Sequence, residues 1–314
     1  MSESLPENMS AAARTRARLG RHLTWARAGG VGRLIEEDNL DPRARARAAF
    51  ARARWRREHG VAPGQARAVF VVGVQRSGTN MLTHGLDAMP EVEVHNENDG
   101  AIFDRFQLRD HAVVLKTVAR SAHQVVLFKP ICDSHDTDLL LDAFAHAANP
   151  ARALWAYRAV DDRVRSAVAK FGWVNQQVLA RIAATGIDGS WQAGRMTPQL
   201  LDDLRACDPA SLSAESGAAL FWWLRNSLYF ETGLDVRPDV MPVSYDDIIA
   251  DPQERLRAVC EFVGLPYRPE VAAHVDGRSR RSRRAPLDLD PRVRRRCDDL
   301  GARLDDAARG FGRQ

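Results

Sequence analysis

An α/β fold, with a parallel sheet flanked by helices and an N-terminal helical extension ahead of it, is predicted by three features of the sequence. Short apolar runs rich in β-branched and aromatic residues, at 69–72, 124–128, 153–157 and 241–244, alternate with stretches of helical periodicity. The first run stops abruptly at Gly73, and a polar loop leads directly into a helix through Met81, Leu82 and Leu86. Strand and helix then keep alternating, the pattern of strands joined by crossover helices on both faces of one sheet.

The bulk numbers bound the function. With 314 residues and 45% apolar content, the chain can build one large core, and we divide it into residues 1–66 (arginine-rich helical extension) and 67–314 (main domain). No stretch reaches the roughly eighteen apolar residues of a membrane span, and no apolar leader precedes the fold, so the cytosol is the expected compartment. Cys132, Cys207, Cys260 and Cys297 form no C-x-x-C pair, which predicts reduced, buried thiols and no metal centre. The net charge is +4, carried almost wholly by arginine, since Lys116, Lys129 and Lys170 are the only lysines. The arginine and alanine bias fits a GC-rich, bacterial-type coding sequence and does not by itself indicate a nucleic-acid partner; an anionic ligand explains the excess equally well.

In the extension, residues 11–27 and 42–58 alternate arginine with alanine, a helix-forming composition broken at Gly29-Gly30 and ended by Gly60 and Pro63. Trp25, Leu34 and Trp55 are the residues expected to pin it. A solvated arm is the plain reading; a homodimer contact or a contact with an acidic partner is the alternative. Beyond the first strand and loop, Val92 and Val94 alternate with polar residues and predict a short strand ending near His95, with Glu97 just past it. A helix through Ile102, Phe103, Phe106 and Leu108 is expected next. Ala153–Tyr157 predicts a strand closed by Arg158, and a helix follows with Val160, Val164 and Val168 on one face. Residues 174–204 read as polar helix. Glu215–Glu231 reads as an apolar helix with Leu220, Leu224 and Leu228 on its core stripe and Trp222 and Tyr229 opposite. Asp251–Val263 is a helix closed by Gly264.

The loop after the first strand carries the chemistry. Gly73 and Gly78 stand five residues apart, as in the P-loop pattern G-x-x-x-x-G, but Thr79 occupies the lysine position and the charge sits inside the loop at Arg76. Glycines that let backbone N–H groups close in, the positive end of a helix, two hydroxyls and a guanidinium make an anion cradle. With its arginine then Ser77-Gly78-Thr79, the loop resembles the 5′-phosphosulfate loop of sulfotransferases that use 3′-phosphoadenosine-5′-phosphosulfate (PAPS).

Two further segments extend the resemblance. Arg158 ending a strand, with Ser166 eight residues on, is similar to that family's 3′-phosphate motif, although Ala159-Val160 replaces the usual Asn-Pro. Tyr245-Asp246-Asp247-Ile248, Asp251-Pro252 and Phe262-Val263-Gly264-Leu265-Pro266 resemble the family's Tyr-Glu-Asp-Leu, Asp-Pro and Phe-Leu-Gly-Leu-Pro series. Together they cover the chain from Val69 to Tyr267, and the likeness is greatest to bacterial and to tyrosyl-protein or carbohydrate-type members.

The resemblance implies a P-loop-like parallel sheet and transfer of a sulfuryl group from PAPS to a hydroxyl acceptor, a small molecule, carbohydrate or lipid. Arg76, Ser77, Gly78, Thr79 and Asn80 would hold the phosphosulfate, Arg158 and Ser166 the 3′-phosphate, and Tyr245 would lie near the adenine. The basic stretch 278–284 would close that end, with Arg280 as its representative. Glu97 is the first candidate for the base, because the tyrosyl-protein group carries a glutamate after its second strand; His135 is the second candidate. No metal is expected. A P-loop kinase using ATP and Mg²⁺, or a basic binding protein, are the rival readings.

Overall fold

The computed structural model describes residues 42–187, 190–275 and 285–312. Its strands are β1 (Arg67–Gly73), β2 (Val92–His95), β3 (Phe103–Asp104), β4 (Gln107–Leu108), β5 (Val125–Phe128), β6 (Arg152–Tyr157) and β7 (Val240–Ser244). The helices are α1 (Pro42–His59), α2 (Thr79–Asp87), α3 (His111–Arg120), α4 (Thr137–Asp142), α5 (Val160–Phe171), α6 (Val174–Thr185), α7 (Pro198–Ala206), α8 (Ala214–Glu231), α9 (Tyr245–Ala250), α10 (Pro252–Val263) and α11 (Pro291–Gly310).

Five strands form one sheet in the order β2-β5-β1-β6-β7, and every pairing is parallel. Successive residues of β1 explain why it runs apolar without a break. Phe70 and Val72 join one core with residues of α5, α6, α8 and α11; Val69 and Val71 join a second with residues of α2 and α10. The register sets Phe70 beside Phe128, His95 beside Phe128, Gly73 beside Ala156 and Tyr157 beside Ser244, so the carboxyl ends of all five strands share one edge. In open parallel sheets that edge is where ligands bind.

Two local expectations are corrected, one is refined, and one further helix is added. Residues 102–108 form the β3–β4 hairpin, not a helix. Its tip, Arg105 and Phe106, takes left-handed φ values of 50° and 71°, and the Leu108 N–H donates to Asp133 Oδ2 at 2.8 Å. The helical spacing of 102, 103 and 106 misleads because Phe106 is exposed, whereas Ile102 and Phe103 are buried. The 174–204 stretch is two helices, parted where α6 stops at Gly186 (φ 88°) and Thr197 caps Pro198 at the start of α7. Helix α8 has no solvent face at Trp222 or Tyr229, both about 1% exposed. Finally, α11 is a further helix, with Val293, Cys297, Leu300 and Leu304 as a buried stripe behind the Asp290 cap.

The α1 helix packs on the domain. Arg52 donates to Val92 O at 3.1 Å and pairs with Asp87, and Trp55 stacks on His123 with ring centroids 6.0 Å apart. Residues 11–27, Trp25 and Leu34 lie outside the described residues. All four cysteines are free and buried. Among the described residues, no helix is long and apolar enough to cross a membrane.

Candidate active site

The loop between β1 and α2 is held from beneath. Ser134 Oγ accepts the Gly73 N–H at 3.1 Å and lies 2.9 Å from Gly73 O. Gly73 has φ 123°, and a Cβ there would sit 2.2 Å from Ala156 O, so only glycine fits this exit from the sheet. Gly78 is the N-cap of α2 with φ 97°, and a Cβ on it would strike the Tyr245 ring at 2.5 Å. The first-turn N–H groups of α2 therefore open at the carboxyl edge, at the positive end of the helix dipole.

Three sequence segments converge on this loop. Arg76, itself at φ 72°, donates from Nε to Ser166 Oγ on α5 at 2.9 Å. The Arg158 guanidinium lies 4.2 Å from the Tyr245 ring centroid, and the same ring covers Gly78. The turn after Arg158, which lacks the family's Asn-Pro, is held instead by Asp246 Oδ2 accepting the Ala159 N–H at 2.7 Å. Trp222 Nε1 donates to Arg158 O at 3.0 Å, so the buried indole fixes the end of β6. Arg158 does not pair with Asp161, which is taken by Arg294 at 2.7 Å.

Polar atoms here are buried without partners. Ser77 is about 1% exposed, and neither its Oγ nor Arg158 Nε has a hydrogen-bond partner in the protein. Buried donors left unsatisfied are costly and uncommon. Their position at a helix N-terminus fits an anionic ligand such as a phosphate or phosphosulfate.

Glu97 is tied to the loop through an intermediary the sequence did not pair with it. Lys129, at the end of β5, donates to Asn80 Oδ1 at 2.7 Å and stands 3.5 Å from Glu97 Oε2. Burial pushes the Glu97 carboxyl above the ordinary glutamate range, and the attraction of Lys129 offsets this only in part. So the lysine absent from the P-loop pattern reaches the loop from the neighbouring strand, and Glu97 faces Lys129. Thr79 is 3% exposed, its carbonyl accepting from Thr83 Oγ1 at 2.9 Å.

His135, the second candidate base, is buried. Its Nδ1 is 3.5 Å from Arg225 Nη2, its Nε2 is 3.4 Å from Asp136 Oδ2, and Gly194 packs directly against the ring. Burial lowers its pKa and the Arg225 charge adds to that, which keeps the imidazole neutral. Both nitrogens thus face protein groups. Arg280 falls outside the described residues. Among the described residues, no cluster of three or more His, Cys, Asp or Glu side chains is arranged to hold a metal ion.

One residue at the site escaped the sequence reading. Arg163, fully buried on α5, donates from Nε to the Gln75 carbonyl of the loop at 3.2 Å. The sequence showed only an arginine within a charged helical turn; its spacing from Val160 and Val164 was the sole hint of an inward position.

The chain resembles several solved structures. It matches the sulfotransferase domain of the Synechococcus PCC 7002 olefin synthase at 14% identity and a TM-score of 0.42, over 76% of this chain and 95% of that one. Sulfotransferase STF9 from Mycobacterium avium matches at 14% identity and a TM-score of 0.40, over 96% and 97% of the two chains. Mouse sulfotransferase SULT7A1, complexed with PAP, matches at 12% identity and a TM-score of 0.41, over 78% and 88%. These structures are sulfotransferases. No protein-family model matches the chain, and no curated protein does.

Proposed function

We propose that this protein is a sulfotransferase that moves a sulfuryl group from PAPS to the hydroxyl of a small-molecule, carbohydrate or lipid acceptor in the cytosol, releasing adenosine 3′,5′-bisphosphate. The observation that carries the reading is the Arg76–Ser166 contact. It joins the two segments whose sequences resemble the phosphosulfate loop and the 3′-phosphate motif, beside buried donors that no protein group satisfies.

In this scheme the N–H groups at the start of α2, with Ser77 and Thr79, hold the phosphosulfate. Arg158 and Ser166 hold the 3′-phosphate, and Tyr245 lies beside the nucleotide. The acceptor oxygen forms a bond to sulfur as the bond from sulfur to the phosphate oxygen breaks. Glu97 takes the acceptor's proton, and its raised pKa makes it a stronger base than an exposed glutamate. Negative charge collects on the departing phosphate, where the Arg76 guanidinium neutralises it. Lys129 orients Glu97 while contacting Asn80. No divalent metal enters these steps.

The test is binding and transfer together. Adenosine 3′,5′-bisphosphate should raise the melting temperature, whereas ATP with Mg²⁺ and duplex DNA should not. Sulfur-labelled PAPS with an extract of candidate acceptors should give a labelled product. Stabilisation by ATP with Mg²⁺ alone would favour the kinase reading instead.

A further inference from the structure

Arg163 is charged, enclosed and without a counter-ion. Its side chain is fully buried, and no carboxylate pairs with it among the described residues. Nη1 donates to Ala218 O at 2.7 Å and lies 3.4 Å from Asn175 Oδ1; Nη2 has no partner; the Phe221 ring centroid lies 5.5 Å from Cζ. Burial pushes the guanidinium down to about 9, and the Arg76 charge acts in the same direction, yet it stays protonated at neutral pH. An isolated buried cation is strongly unfavourable, and packing alone would be served as well by an apolar side chain of that size.

Its remaining bond indicates what the charge is for. Nε donates to the carbonyl of Gln75, and a peptide unit is planar and trans, so the N–H of Arg76 points the opposite way from that carbonyl. Gripping the Gln75 oxygen fixes the peptide plane and polarises it, which strengthens the Arg76 N–H as a donor. Arg76 holds a left-handed φ of 72°, a conformation an arginine adopts only when its surroundings impose it.

We infer that Arg163 is a positioning residue of the phosphate loop: a buried cation that orients the Gln75–Arg76 peptide toward the bound anion and whose charge is balanced only when that anion is present. This rests on the donor reading above. The bound phosphosulfate lies across one peptide from the guanidinium and supplies the missing negative charge through a low-dielectric interior.

The experiment compares Arg163→Met and Arg163→Lys with wild type. Two quantities are read: the melting temperature without ligand, and calorimetric affinity for adenosine 3′,5′-bisphosphate and for inorganic pyrophosphate. Removing an unbalanced cation should leave the ligand-free melting temperature of Arg163→Met unchanged or raised, while affinity for both anions falls about tenfold or more, the scale of one lost charge-assisted bond. Arg163→Lys keeps the charge and should recover part of that affinity. Wild-type affinity in Arg163→Met would overturn the inference and leave the donor reading standing. So would equal loss in both variants with a lowered ligand-free melting temperature, since that is a packing defect. If Arg163→Met does not fold, Arg163→Gln replaces it under the same criteria. A wild-type protein that binds neither anion overturns the donor reading and this inference with it.

Discussion

Arg76 Nε and Ser166 Oγ meet at 2.9 Å across ninety residues of sequence. The bond fastens the loop after β1 to the α5 helix after β6, and these strands are neighbours with Gly73 opposite Ala156. In the proposed scheme, a charge for one end of the nucleotide is thereby positioned by a hydroxyl that serves the other end. Ser166→Ala should loosen both, lowering affinity for adenosine 3′,5′-bisphosphate about tenfold, the scale of one hydrogen bond to a charged group. Arg76→Ala should cost turnover about 10²–10³-fold, as loss of a charge-stabilising donor does elsewhere, and Arg76→Lys should retain much of it. Steady-state kinetics with PAPS as the varied substrate check both, and an Arg76→Ala enzyme with wild-type turnover would make the loop merely structural.

Arg158 should confer selectivity between nucleotides. Its Nε is buried without a partner and its plane lies against Tyr245. If it grips a 3′-phosphate, the protein should prefer adenosine 3′,5′-bisphosphate to AMP by an amount worth about 1.5–3 kcal/mol. Arg158→Ala should abolish that preference with the fold intact, as calorimetry on both nucleotides would reveal. Equal affinities in the wild type would remove the assignment.

Glu97→Gln keeps the shape of the side chain and removes its basicity. Turnover should fall about 10²–10⁴-fold with nucleotide affinity little changed. The wild-type rate should rise with pH as Glu97 loses its proton, and burial places that rise above the ordinary glutamate value of 4.5. His135→Ala should lose less turnover, because both imidazole nitrogens already face Arg225 and Asp136. An inactive His135→Ala that still binds PAPS, beside an active Glu97→Gln, would transfer the base to the histidine.

Beneath the same edge, Glu93, His95 and Asp99 make a charged row. His95 Nδ1 is 2.7 Å from Asp99 Oδ2, and its Nε2 is 3.3 Å from Glu93 Oε1, close enough for attraction though off the N–H line. The imidazole, assisted by the Ser121 hydroxyl, holds Glu93 down to about 2. Burial works against charging His95, but the two carboxylates outweigh it and raise its pKa. Glu93 therefore contributes stability above about pH 4.5 that is lost as pH falls toward 2. The His95 contribution is complete below 6.5 and fades as pH rises through its elevated folded value. Glu93→Gln should lower the melting temperature by roughly 2 °C near pH 6, from about 1 kcal/mol of lost attraction, and by less at pH 3 or pH 9. A difference constant across that range would contradict the pairing.

The sequence by itself determined the sheet and the loop. The unbroken apolar run of β1, rich in β-branched residues and stopped by a glycine, reads as a strand buried on both faces, and Gly73 and Gly78 sit where φ reaches 123° and 97°. Arg76, Arg158, Ser166 and Tyr245 stand out in the sequence as candidates because their motifs are local, each within a dozen residues of a strand end. What only the tertiary structure decided involves partners far apart in the chain. Lys129 answers Asn80 and Glu97, Asp246 replaces the missing Asn-Pro by capping Ala159, and Arg163 turns inward to the Gln75 carbonyl. The β3–β4 hairpin departs from its helical spacing for the same reason, since the Asp133 carboxylate that fixes it comes from after β5. Local periodicity reports which face a residue prefers, but a charge or hydrogen bond is satisfied by whatever the strand order brings alongside, and that order is not written in any one segment.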